Sequence, residues 1–183
     1  FRWASQGQIC EALKYIIQAI SCDAHTPNTE KRMHLAKLLK QDGFKGATLG
    51  GVKFFAAHGD VFCVRDMGAL TGRNQIQTKP PLALGKYTQQ IWDGRYGVGT
   101  ANDVPKNTSV QALALWQNKL ERTHLAAIDY IPSQARGGLP VFIANNEIAY
   151  VPFLEHLKVE RSETTDYWTQ SLTTRRLFAL LGE

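Results

Sequence analysis

The side chains in this sequence best suited to chemistry are cations, and the chemistry they suit is the binding of phosphate. From Lys31 to Lys119 there are thirteen basic residues against five acids, Asp42, Asp60, Asp66, Asp93 and Asp103. From Glu147 onward acids outnumber bases, and the whole chain carries a formal charge of +5 with a pI of about 9.2. A basic middle and an acidic end fit a polyanionic partner approached on one side. A solubilising scatter of charge is the competing explanation. Guanidinium and ammonium groups bind phosphate oxygens without reading sequence. The candidate phosphate contacts are Lys31, Arg32, Lys37, Lys40, Lys45, Arg65, Arg73 and Arg95. For Arg95 two roles stay open, a phosphate contact or an ion pair with Asp93 two residues away, and for Arg65 a local pair with Asp66.

Other chemistries find little support. The histidines, His25, His34, His58, His124 and His156, show no metal-ligand spacing, and no catalytic set is visible. Cys10, Cys22 and Cys63 are an odd number without a CxxC pair, which points to reduced, partly buried thiols in a cytoplasmic protein. No catalytic residue and no metal ligand is assigned. No apolar run is long enough to span a bilayer, and the opening FRWASQGQ lacks a signal-peptide core and an initiating Met, as expected of a piece cut from a longer protein.

The elements that must carry these cations read as an α+β fold. A helical pair comes first, then a small, mostly antiparallel, barrel-like β region with one further helix, and a C-terminal hairpin. The expected divisions are residues 1–44, helical; 45–153, a substrate-binding α+β region; and 154–183, a tail. Ser5 and Gln8 form an S-x-x-Q capping box, and Ile9, Leu13, Ile16, Ile17 and Ile20 recur on one face of a helix over Ser5–Ile20. Asn28–Gln41 is a second helix with Leu35, Leu38 and Leu39 inward, ended by Asp42-Gly43. Gly50-Gly51 and His58-Gly59 punctuate strands rich in Val and Phe up to Arg65.

Met67–Tyr87 reads as a polar loop, after which Gln89–Val98 resumes the sheet. Asn107–Ala126 is expected to contain a helix capped by Thr108 or Ser109, with Val110, Leu113, Trp116 and Leu120 inward. A loop over Ile131–Gly138 leads to a hairpin, Leu139–Ala144 and Glu147–Val151, around Asn145-Asn146. A short helix is expected near Leu172–Leu181.

The order of these parts resembles the region that follows the catalytic domain in bacterial tRNA(Ile)-lysidine synthetases, ATP-dependent ligases that attach lysine to the wobble cytidine of a tRNA. The residues that carry the resemblance are Thr48-Leu49-Gly50-Gly51, Val61–Asp66, Trp92-Asp93-Gly94-Arg95, Leu139–Pro152 and Arg175-Arg176-Leu177-Phe178. The family's Ser-Gly-Gly-x-Asp-Ser loop, which cradles pyrophosphate, is not in the sequence. The resemblance therefore implies a non-catalytic segment that positions tRNA. Its partners would be tRNA and an N-terminal catalytic domain. ATP and Mg would belong to the parent enzyme and no cofactor to this segment. No membrane is implied, and a homodimer is allowed. The alternative is an interaction or regulatory domain that packs on a catalytic partner without binding RNA.

Overall fold

The structure is a computed structural model, and it describes residues 4–68, 81–101, 104–154 and 167–181. The fold is α+β, and no barrel is closed among the described residues. The chain divides into two compact units, Phe1–Ala69 together with Leu172–Glu183, and Leu70–Ser171.

The first unit begins with α1 (Gln6–Ser21), which starts where the capping box forms. The Gln8 amide donates to Ser5 Oγ at 3.2 Å, and the Ser5 amide donates to Gln8 Oε1 at 2.8 Å. Helix α2 (Thr29–Leu39) is capped by Asn28, whose Oδ1 accepts from the Lys31 amide at 3.0 Å. Strands β1 (Gly46–Leu49), β2 (Val52–Ala57) and β3 (Asp60–Arg65) form an antiparallel sheet in that order. Its two turns hold Gly50 and Gly51 at φ 59° and 74°, and His58 and Gly59 at 52° and 84°. These are the left-handed conformations that two-residue hairpin loops require.

Ile9, Leu13 and Ile17 of α1, Leu35 and Leu39 of α2, and Val52 and Phe54 of β2 share one apolar cluster. The helices and the first sheet are thus one unit across position 44/45. The last helix, α5 (Thr173–Leu181), returns to pack on α1. There Arg176 donates to the Ala19 carbonyl at 3.2 Å and contacts the Cys22 sulfur.

The second unit holds two further sheets. One runs β10 (Tyr167–Ser171), β6 (Tyr96–Thr100), β5 (Gln89–Trp92). The other runs β4 (Leu82–Ala83), β7 (Ser109–Ala112), β8 (Pro140–Ala144), β9 (Glu147–Tyr150). Residues 89–98 therefore found a new sheet and do not resume the first one. Strand β8 is buried along its whole length. Val141 and Ile143 join Leu113, Trp116, Leu120 and Ile128 in one cluster, while Phe142 meets the Tyr150 and Tyr167 rings at 5.6 and 5.1 Å. Asn145 and Asn146, at φ 50° and 65°, turn β8 into β9 as expected.

The expected helix over Asn107–Ala126 is not present. Ser109–Ala112 is a strand paired with β8, followed by short 3-10 turns at Leu113–Leu115 and Gln117–Lys119 and by α3 (Arg122–Ala127). Val110, Leu113, Trp116 and Leu120 are all buried as expected, but through pairing and turns. The loop expected at Ile131–Gly138 contains one helical turn, α4 (Ser133–Arg136). Of Met67–Tyr87, residues 69–80 lie outside the described residues.

Candidate nucleic-acid interface

The eight candidate cations do not form one constellation. Arg32 is buried within the first unit, because its guanidinium ties α2 to α1 and to the chain between them. Nε donates to the Cys10 carbonyl at 3.3 Å, Nη1 to the Pro27 carbonyl at 2.6 Å and Nη2 to Thr29 Oγ1 at 3.3 Å. Helix α2 positions it there because Arg32 falls on the same helical face as Leu35, Ala36 and Leu39. Arg32 therefore leaves the set of phosphate contacts.

Arg95 leaves it too. The turn between β5 and β6 holds Asp93 and Gly94 at φ 52° and 70°, and folds Arg95 back on Asp93. Arg95 Nε lies 2.6 Å from Asp93 Oδ2, with the side chains 8% and 0% exposed. Nη2 donates to the Gly138 carbonyl at 2.9 Å, which fixes the start of β8. The guanidinium also lies 5.1 Å from the Tyr96 ring centroid and 6.0 Å from that of Trp92. The Trp-Asp-Gly-Arg run is thus an internal clamp of the second unit. Arg65, at the end of β3, is half-buried, and Arg73 lies outside the described residues.

Lys31, Lys37, Lys40 and Lys45 are exposed, all on the first unit. Lys31, in the first turn of α2, lines an open groove of about 350 Å³ between α2 and β1. Lys37 follows on the solvent side of α2, and Lys40, its C-cap, donates to the Ala4 carbonyl at 3.0 Å. Lys45 stands just before β1. Among the described residues no acid pairs with any of these four. Solvated ammonium groups on a rigid helix meet phosphate as point charges.

Among the described residues no group of three or more histidines, cysteines or acids stands in metal-binding geometry. All three cysteines are free thiols, and no described helix is long and apolar enough to cross a membrane. Burial pushes the Cys63 thiol up to about 11 and raises Tyr96 above its ordinary value, in spite of the Arg95 cation beside the phenol. Below the thiol's unfolded value, near 9, this group does not change stability with pH. Between pH 9 and 11 the unfolded chain ionises Cys63 while the folded chain does not, so stability falls as pH rises through that window. The expected result is a melting temperature that declines over that window less steeply in Cys63→Val than in the unaltered protein, measured by circular dichroism.

Of the two roles the sequence leaves open for Arg95, the structure shows the ion pair with Asp93. The carbonyl of Gly138, 43 residues on, left no sequence signal. Comparison with protein-family models, with curated proteins and with solved structures finds no match to this chain.

Proposed function

We propose that this chain is the tRNA-gripping, non-catalytic part of an ATP-dependent tRNA(Ile)-lysidine synthetase. In this reading the first unit holds the tRNA backbone while an N-terminal catalytic domain, with its ATP and Mg, activates the wobble cytidine and admits lysine. The observation that supports it is the set of four exposed lysines, Lys31, Lys37, Lys40 and Lys45, on one unit of a chain whose sequence resembles that region. Phosphate contacts of this kind position a substrate and carry no sequence preference, so the choice of nucleotide falls to the catalytic domain.

The test is tRNA affinity after replacing Lys37, Lys40 and Lys45 together by alanine. Loss of three phosphate contacts weakens binding by about tenfold or more at low salt and flattens the salt dependence by roughly one unit of slope per contact. An unchanged affinity sinks the reading. It would then favour an interaction domain that packs on a catalytic partner. The apolar side chains Phe178 and Leu181 on α5, 48% and 51% exposed, are the observation that speaks for that second reading.

A further inference from the structure

The groove between α2 and β1 has a property that phosphate binding does not use. Strand β1 is the outer strand of its sheet, and its register with β2 fixes which way its backbone groups point. The two-residue loop Gly50-Gly51 makes Leu49 and Val52 a hydrogen-bonded pair, so Ala47 and Phe54 form the next one. Thr48, opposite Lys53, and Gly46, opposite Phe55, are the alternate, non-bonded positions. Their N–H and C=O groups point away from β2, to the open edge, and they meet no partner among the described residues. An edge of this kind is a template for another strand.

The opposite wall of the groove is α2. Glu30, Lys31, His34, Leu35 and Leu38 line it at helical spacing, facing Ala47, Thr48 and Leu49. A volume of about 350 Å³ lies at the small end of the range for ligand sites. Leu35, Leu38, Ala47 and Leu49 supply an apolar floor, with Lys31 and His34 towards one end.

We infer that this groove binds an extended peptide, which adds as a fourth strand on the edge of β1. Its aliphatic side chain sits between Leu35 and Leu38, and an acidic residue two positions away reaches Lys31. The strand edge supplies the affinity and the groove the specificity, as in strand-addition recognition generally. Residues i and i+2 of a strand share a face roughly 6.5–7 Å apart, which suits an anchor and a charge spaced along α2. A nucleic acid fits less well, because the edge presents carbonyl acceptors as often as amide donors and Glu30 stands on the wall. This site shares Lys31 with the RNA-binding reading but does not rest on it, since Lys37, Lys40 and Lys45 do not line it.

The test selects a phage-displayed library of random nine-residue peptides on the whole chain. The best sequence is then synthesised, and its effect on amide hydrogen exchange is followed by NMR. The expected result is enrichment of an aliphatic-x-acidic pattern and slowed exchange at Thr48 and Gly46. Thr48→Pro removes an outward amide that makes no ladder bond, and should weaken the peptide at least tenfold. Leu38→Glu, which fills the floor with charge, should do the same and decides the matter if the proline variant does not fold. tRNA affinity should be unchanged in both. Several outcomes overturn the proposal: no enriched peptide, enriched peptides that leave Thr48 exchange unaltered, or both variants binding peptide normally. A dimer in sedimentation that Thr48→Pro dissolves would assign the edge to a second copy, and overturns it too.

Discussion

Arg95→Ala is expected to destabilise the second unit by about 3–5 kcal/mol, the usual cost of removing one member of a buried ion pair. The size follows from what is left behind. Asp93 has no exposed side-chain surface, and its carboxylate would lose the guanidinium that lies 2.6 Å away. The Gly138 carbonyl would lose a donor at 2.9 Å, and the Trp92 and Tyr96 rings the cation beside them. Urea unfolding followed by Trp fluorescence measures the loss. The double variant Asp93→Asn/Arg95→Met should be less damaging than Arg95→Ala alone, because it removes the stranded charge as well as its partner. If Arg95→Ala unfolds like the unaltered chain, the clamp does not stabilise the unit. If it lowers tRNA affinity while leaving stability intact, Arg95 belongs back among the phosphate contacts.

Gly99→Ala should be nearly as severe, for a steric reason. A Cβ at position 99 would lie 2.5 Å from the Thr88 carbonyl oxygen and 2.5 Å from the Trp168 indole atoms Cε2 and Nε1. Neither neighbour moves easily. The Thr88 carbonyl accepts from the Thr100 amide at 3.0 Å, and Trp168 is part of β10, paired with β6 through Gly99 itself. Overpacking of this kind costs about 1–3 kcal/mol and occasionally more, and a clash with backbone belongs at the upper end. Gly97 on the same strand is the control. Its added Cβ would lie 3.5 Å from Trp168, an ordinary contact, so Gly97→Ala should unfold within about 1 kcal/mol of the unaltered chain. Equal losses at the two positions would mean that the indole does not lie across β6 as described.

Local structure in this chain was legible where local chemistry decides it. The Ser5–Gln8 box, the Gly50-Gly51 and His58-Gly59 turns and the Asn145-Asn146 turn are specified by residues a few positions apart. Residues 109–120 were misread for the opposite reason. Val110, Leu113, Trp116 and Leu120 recur with a helical period, yet the pairing of Ser109–Ala112 with Pro140–Ala144 decides the backbone. That partner lies about thirty residues away and leaves no mark on the local pattern.

The candidate site divides along the same line. Exposure of Lys37 follows from the phase of α2, which the Leu35 and Leu39 positions reveal, and Lys40 stands beyond the last helical residue as its C-cap. Burial of Arg32 follows from the same phase, for it shares the inward face with those leucines, which its candidacy as a phosphate contact did not weigh. Arg95 needed the three-dimensional fold, since the Gly138 carbonyl that orients it is remote in sequence. The docking of α5 on α1, through Arg176 and the Ala19 carbonyl 157 residues apart, was beyond any local pattern.

The central claim is that this chain grips tRNA through phosphate, and a salt series on tRNA binding by the whole chain tests it most directly. Over a range of about 50–200 mM salt, the logarithm of the association constant should fall linearly with the logarithm of salt concentration, with a slope of roughly −2 to −4 for three or four lysine contacts. No detectable binding at the lowest salt, or an affinity indifferent to salt, would contradict the claim.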